Sequence, residues 1–132
     1  MKNQFLPALC VSLLVPLAFG QTAKPETITA AEAKGHIGEA ATVCGKVVAS
    51  HISRYTVGPK GKPITFDLDE PSPNRVFTFV VWTPDAKAVE QTRNYYTGKH
   101  VCVSGTLTKI GNTPHMLVAD QSHIKLGSEE KN

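Results

Sequence analysis

Two stretches that carry one cysteine each, 41–50 and 96–108, constrain the fold of this chain more than any other feature. Both alternate apolar with polar side chains, which is typical of a β-strand with one buried face. Cys44 and Cys102 each fall on the polar face of their own strand. Directly opposed residues of an antiparallel pair bring their Cβ atoms to about 4.5–5.5 Å. This shared parity therefore predicts a disulfide between the two cysteines, outside the core.

Pairing Cys44 with Cys102 also fixes the register of the two predicted strands. In that register, two further pairs face each other on the outer surface: Thr42 with Ser104, and Lys46 with His100. Gly45, in the middle of the first strand, predicts a bulge or a sharp bend that would offset one of these pairs. The disulfide closes a long loop, for which the chain-entropy model gives a stabilisation of about 4 kcal/mol.

The first twenty residues are typical of a secretory signal peptide, which we expect to be cut before Gln21. Lys2 supplies a positive start, and residues 5–19 are apolar almost throughout. Cys10 lies too early in the apolar run for a lipid anchor and leaves with the signal. Two cysteines then remain, and an even number in an exported chain favours a disulfide. We therefore expect a periplasmic or secreted protein.

The net charge of the chain is small. Fourteen Lys and Arg oppose eleven Asp and Glu, and the loss of Lys2 with the signal lowers the net charge from +3 to +2. Binding through phosphates usually needs a clustered basic patch, so the placement of the cations matters more than their total.

Apolar alternation between turn residues predicts five strands, at about 41–53, 64–69, 76–82, 100–108 and 115–119. A short helix is predicted within 28–38, where Thr29 and Glu32 have the capping-box spacing. A second helix is predicted from Ala86 to about Thr92, with Thr83 as its N-cap. The strand parity predicts one core: Ile64, Phe66, Leu68, Phe77, Phe79, Val101, Val103 and Leu107.

This order of elements predicts an all-β fold. Five short strands with a helix between the third and the fourth are the order of the OB-fold, a five-stranded Greek-key barrel. In that barrel strands one and four are antiparallel neighbours, as the cysteines independently require. We expect a signal peptide (1–20), an N-terminal segment with a short helix (21–39), an OB-fold domain (40–126) and a disordered tail (127–132).

Several motifs between about 40 and 120 carry a family likeness. They are VCGKV at 43–47, GKP at 61–63 leading to Thr65-Phe66, Pro73-Asn74, the run from Phe77-Thr78 to Trp82, and Y-x-G-K-x-V-C-V-x-G at 96–105. In these motifs the chain resembles small exported bacterial OB-fold proteins described as nucleic-acid-binding-like. The resemblance implies the fold and a binding function, although a fold alone does not fix the ligand.

The loop from Arg54 to Lys62 is the candidate ligand-binding segment. Its cations and its aromatic ring suit single-stranded nucleic acid, since cations meet phosphates and a ring stacks on a base: Arg54, Tyr55, Lys60 and Lys62. Trp82 is a second candidate, either as a stacking platform or packed under Tyr95 or Tyr96. A solvated hairpin loop is the alternative reading. Three acids at the foot of the loop, Asp67, Asp69 and Glu70, weaken the case for phosphate binding.

The sequence predicts neither a catalytic site nor a cofactor. The five histidines lack metal-ligand spacing, and no nucleophile motif or phosphate-binding glycine loop is present in the sequence. The acids at 67, 69 and 70 suggest a hard cation only weakly. We therefore expect a non-enzymatic exported module for single-stranded nucleic acid or another anionic oligomer. The alternative is an envelope module for protein–protein interaction or structure, and the oligomeric state stays open.

Overall fold

The computed structural model describes residues 25–52 and 61–127. Its strands are β1 (Glu26–Thr29), β2 (Ala40–Ile52), β3 (Lys62–Leu68), β4 (Thr78–Thr83), β5 (His100–Thr106), β6 (Thr108–Ile110), β7 (Thr113–Leu117) and β8 (Ile124–Leu126). One α-helix is described, α1 (Ala86–Tyr96), with 3-10 turns at Ala33–Gly35 and Gln121–His123. The prediction of an all-β fold is confirmed.

All eight strands pair into one mixed sheet. Its order is β6-β7-β4-β3-β2-β5-β8, and β1 pairs with β2 off this path. The β1–β2 and β4–β7 pairs are parallel, and the other pairs are antiparallel. A closed barrel of five strands is not confirmed, because the sheet formed by the described residues has eight strands and an open order.

The predicted disulfide between Cys44 and Cys102 is confirmed. The two residues are directly opposed in the β2–β5 pair, with a Cα–Cα distance of 4.1 Å. The predicted neighbours also pair as expected, Thr42 with Ser104 and Lys46 with His100. The hydroxyl groups of the first pair lie 2.8 Å apart. Sequence parity was sufficient here because every residue of this part of β2 keeps its alternation.

The bulge predicted at Gly45 is wrong. The β2–β5 register runs without interruption through this residue, and the irregularity lies between Val47 and Ala49 in the β2–β3 pair. Gly45 has a different role, since a β-carbon there would lie only 2.9 Å from the carboxylate of Asp69. The absence of a side chain lets β2 pass close to the end of β3.

The predicted core is confirmed. All eight of its predicted residues are fully buried. Phe66 is at the centre, with its ring 5.1 Å from that of Phe79 and 5.7 Å from that of Tyr96. Tyr96 and Val89 are buried residues of α1, so the helix covers one side of this aromatic cluster.

The N-terminal helix was predicted too long. Thr29 donates its hydroxyl to Glu32 Oε1 at 2.9 Å and accepts the Glu32 N–H at 3.3 Å, which is the capping interaction that the spacing indicated. Only the 3-10 turn Ala33–Gly35 follows it. Ala30 and Ala33 are the buried residues, whereas Ala31 is exposed. Gly35 is the last residue of this turn, and the helical conformation ends there because glycine is a poor helix former.

The N-cap of α1 is Asp85 and not Thr83. The Asp85 carboxylate accepts the Ala88 N–H at 2.8 Å, whereas Thr83 ends β4 and donates its hydroxyl to the carbonyl of Lys62. Strands β1, β6 and β8 were not predicted as separate elements. Each has only three or four residues, so none is long enough to show a clear alternation.

Parts of the sequence-based prediction lie outside the described residues. These include the signal peptide at 1–20 and its cleavage point, most of the candidate loop, and all of the predicted tail except Gly127. The helices that the structure does describe are all too short or too polar to cross a membrane.

Candidate binding face

The sheet has a second face across β2, β3, β4 and β7, opposite the aromatic core, which we call the outer face. Its register places His51, Thr65, Val80 and Leu117 in one row. Asp67, Thr78 and His115 form the next row. Trp82 lies beyond them, opposite Pro63. Directly opposed residues share a face and alternate residues change face, so the register alone assigns these side chains to one surface.

A buried carboxylate anchors the outer face. Asp67 is fully buried, and its Oδ2 atom accepts hydrogen bonds from His51 Nε2 at 3.0 Å and Arg75 Nε at 3.1 Å. The side chains of His51 and Arg75 are 46% and 32% exposed, so each reaches from this carboxylate to the solvent. Oδ1 of Asp67 has no hydrogen-bond partner among the residues described. One oxygen of Asp67 is thus bonded within the protein, and the whole side chain is shielded from the solvent.

Two further polar residues on this face are buried and hydrogen-bonded. The Thr78 hydroxyl lies 2.8 Å from His115 Nδ1, and both residues are only 4% exposed. Burial lowers the pKa of His115, because the charged imidazolium loses its hydration. His115 is therefore a neutral structural group at physiological pH. A ligand can reach the exposed and partly exposed residues around this pair, which are His51, Arg75, Trp82 and Leu117.

Trp82 gives the outer face an apolar end. Its side chain is partly exposed, and on the neighbouring strand Leu117 is 60% exposed. In the part of the chain described, Tyr95 and Tyr96 pair with one another and Tyr96 packs on Phe66, so neither ring is the cover that was considered for Trp82. Trp82 shares the face of Thr78, opposite to Phe79, as its parity indicated.

Lys62 is one residue from the position opposite Trp82 but lies on the other face. It lines a groove of about 900 Å³ between α1 and the ends of β2 and β3, which we call the α1 groove. Arg93 lines the same groove and donates Nε–H to Ser50 Oγ at 3.0 Å. Of the predicted ligand-binding residues, Lys62 and Trp82 are thus on different surfaces. The others, Arg54, Tyr55 and Lys60, lie outside the described residues.

Two of the three acids that seemed to oppose phosphate binding have structural partners, whereas Glu70 is exposed. Besides Asp67, Asp69 is bonded to β2: its Oδ1 accepts the Lys46 N–H and its own N–H donates to the Lys46 carbonyl, both at 2.8 Å. Asp69 has a positive φ of 66°, which lets it close the end of β3 onto β2. Within the ranges 25–52 and 61–127, no group of three or more His, Cys, Asp or Glu is placed to hold a metal ion.

Sequence reasoning missed His51 and Arg75 as site residues. One signal was available: β4 and its flank read VFTFVVW, an almost continuous apolar run, which is typical of a strand covered on both faces. A charged residue beside such a strand needs a partner when it is buried. The partners of Asp67 come from β2 and from the segment before β4, and their approach depends on tertiary structure.

No protein-family model matches the sequence, and no curated protein matches it. Among solved structures the chain is similar to one assigned as an aspartyl-tRNA synthetase from Leishmania major Friedlin, with 12% sequence identity and a TM-score of 0.47. The likeness covers 83% of this chain but 22% of that one, so the chain spans about a fifth of that protein. A likeness at this level establishes neither a shared fold nor a shared function.

Proposed function

We propose that this protein is an exported OB-fold module, without catalytic activity of its own, that binds single-stranded nucleic acid or another anionic oligomer on the outer face. Strand pairing supports the OB arrangement. β2 is antiparallel to both β3 and β5, and β4 is parallel to β7, with α1 between β4 and β5. In this interpretation β2, β3, β4, β5 and β7 are the five strands of the Greek key, and the other three strands are additions to it.

The observation that carries the proposal is the division of the outer face into an apolar end and a polar part. Trp82 and Leu117 offer apolar side chains to the solvent, and the Trp82 ring can stack on a base. His51 and Arg75 offer partly exposed donors on the same face, both oriented by one carboxylate. Arg75 pairs with Asp67 and offsets its charge, and Asp69 follows the end of β3, beyond the paired rows of the outer face.

The disulfide supports export. Disulfides persist in oxidising compartments and are rare in the cytosol. The Cys44–Cys102 bond therefore agrees with the signal peptide predicted for residues 1–20, and we propose a periplasmic or secreted location.

Trp82 is the single tryptophan of the chain, so tryptophan fluorescence reports on binding at the outer face. The mature protein is titrated with an unstructured oligothymidylate, and tryptophan fluorescence is followed at two salt concentrations. Stacking should quench the fluorescence, and raising the salt from about 50 to 200 mM should weaken binding at least tenfold if several phosphates are contacted. Arg75→Gln, at the cation that reaches the solvent on this face, should reduce the affinity and its salt dependence.

Two exposed leucines provide a matched pair of variants. Leu117, on the outer face, is 60% exposed, and Leu126, on β8 at the far edge of the sheet, is 50% exposed. Leu117→Ala should weaken oligonucleotide binding, whereas Leu126→Ala should not. Equal affinities for both variants and for the parent would refute the outer face as the binding surface.

One observation favours a second function, an envelope module for protein–protein interaction. Ile110 and Leu117, on the β6–β7 pair at one edge of the sheet, are 64% and 60% exposed. Exposed apolar side chains near a sheet edge suit a protein partner. Binding to such a partner should change little with salt, which separates the two functions.

A further inference from the structure

The disulfide lies in a cationic part of the sheet surface. Cys102 is directly opposed by Cys44 on one side and by Lys125 of β8 on the other, so the three side chains share one face. The neighbouring row pairs Lys46 with His100. Both cysteines are partly exposed, and Lys125 is exposed. Partial exposure and nearby cations are the surroundings in which cysteine sulfurs are reactive.

His100 has a nitrogen that the oxidised protein leaves unused. Nδ1 is buried and has no hydrogen-bond partner among the described residues. Gly127 is next to it: a β-carbon there would lie 2.7 Å from His100 Nδ1 and 3.7 Å from Cys102 Sγ. The two atoms therefore lie within 3.7 Å of the same point beside Gly127. A buried polar atom without a partner calls for an explanation, and a redox role is one of the known ones.

We propose that Cys44–Cys102 is a thiol–disulfide exchange site, at which a dithiol partner attacks Cys44 and Cys102 leaves. The partner's first thiolate bonds to Cys44 Sγ, the Cys44–Cys102 bond breaks, and Cys102 Sγ takes the electron pair as a thiolate. The partner's second thiolate then attacks its own sulfur in this mixed disulfide and releases Cys44 as a thiolate. Two electrons pass from the partner, which becomes a disulfide, to this protein, and the two new thiolates take up protons from water.

The surroundings of the two sulfurs assign these roles. A thiolate at Cys102 gains the His100 Nδ1–H as a donor and Lys125 as a nearby cation. The Cys44 side also has a lysine in the next row, the exposed Lys46, but it faces Thr29 of β1, whose hydroxyl is bonded to the Glu32 carboxylate. The sulfur that is better stabilised as a thiolate leaves faster in exchange. His100 is a positioning residue here, because it would act through the leaving sulfur and touches no partner atom. The inference is independent of the ligand of the outer face.

The test starts from the folded, oxidised mature protein and uses reduced glutathione, a monothiol. One glutathione opens the disulfide, and a second glutathione resolves the mixed disulfide in place of the second thiol of a dithiol. The rate of mixed-disulfide formation is followed by intact mass after an acid quench, and peptide mapping locates the glutathione. We expect it on Cys44. Both His100→Leu and Lys125→Met should slow this step, by about tenfold for His100→Leu, since the leaving thiolate loses its donor. Lys109→Met, at an exposed lysine of the opposite edge strand β6, is the matched control and should keep the parent rate.

A merely structural disulfide would give different results. Glutathione found mainly on Cys102, or equal rates for the parent and His100→Leu, would overturn the proposal. Circular dichroism of each oxidised variant verifies that it is folded before the thiol is added. If His100→Leu does not fold, His100→Gln replaces it, because a glutamine amide keeps a donor and should retain more of the parent rate than Lys125→Met does. A Gln variant slower than Lys125→Met would also overturn the role of His100.

Discussion

Phe66→Ala should be among the most destabilising single substitutions in this protein. Phe66 is fully buried, and its ring lies 5.1 Å from the ring of Phe79 and meets that of Tyr96 edge-on at 5.7 Å. Removing a buried phenylalanine side chain costs about 3–5 kcal/mol, depending on how far the cavity collapses. Two aromatic pairs, each worth about 0.5–1.5 kcal/mol beyond area burial, place the expected loss in the upper part of that range.

The assay is equilibrium unfolding in urea with the disulfide intact, followed by circular dichroism. A loss of about 4 kcal/mol is a large part of the 5–15 kcal/mol typical of a domain, and for about 100 residues it lowers Tm by roughly 16 °C or more. Tyr95→Ala is the matched aromatic control. Tyr95 is 49% exposed and contacts the Tyr96 ring and Lys99 Nζ, so its loss should cost about 1 kcal/mol or less.

The comparison tests the assigned parity of β3. If Phe66→Ala costs less than about 1 kcal/mol, or no more than Tyr95→Ala, Phe66 does not lie in the core. The outer face would then be assigned to the wrong residues as well, because Asp67 takes the opposite face to Phe66 in the same strand.

Two more predictions concern the Cys44–Cys102 disulfide and the buried His115. Replacing both Cys44 and Cys102 with serine should lower the free energy of unfolding by about 4 kcal/mol and leave oligonucleotide affinity per folded molecule unchanged. Chemical unfolding measures the first effect and fluorescence titration the second, and a loss of affinity would contradict the prediction. His115, whose pKa is lowered by burial, favours the unfolded state when it is protonated. The contribution of His115 to the free energy of unfolding should thus be fully present above its unfolded pKa of about 6.5. It should decrease as the pH falls below that value, by up to about 1.4 kcal/mol per pH unit. His115→Asn, which keeps a side-chain hydrogen-bonding group, should flatten this fall in urea titrations between about pH 4 and 7; an unchanged slope would show that other groups cause it.

The fold could be predicted where two independent local patterns agreed. Cysteine parity gave the β2–β5 register, and apolar alternation gave the core faces of β3 and β4, because a period of two residues is a strong signal in strands of six or more residues. Strands β1 and β8, with four and three residues, have no such signal. They form because neighbouring long strands offer free backbone groups, which is a property of the assembled sheet.

The candidate site was less predictable for a related reason. Trp82 could be assigned to the face opposite Phe79 from parity alone. The link from Asp67 to His51 and Arg75 joins residues that are 16 and 8 positions apart, through contacts that no local pattern specifies. Lys62 was assigned to the ligand site because it ends the candidate loop in the sequence. In the structure it begins β3 and lines the α1 groove together with Arg93.

The shape of β2 explains why the disulfide was easier to predict than the outer face. Residues 40–46 pair with β5, and residues 47–52 pair with β3. The register shift between Val47 and Ala49, just after this change of partner, adds one residue to β2, so the side chains change faces there. Before the shift Cys44 points outward. After the shift His51 does so, and Ser50, which continues the outward parity of Cys44, instead pairs with Phe66 on the core side. One strand thus contributes to two outer surfaces, and a single alternation pattern can assign only the surface on its own side of the shift.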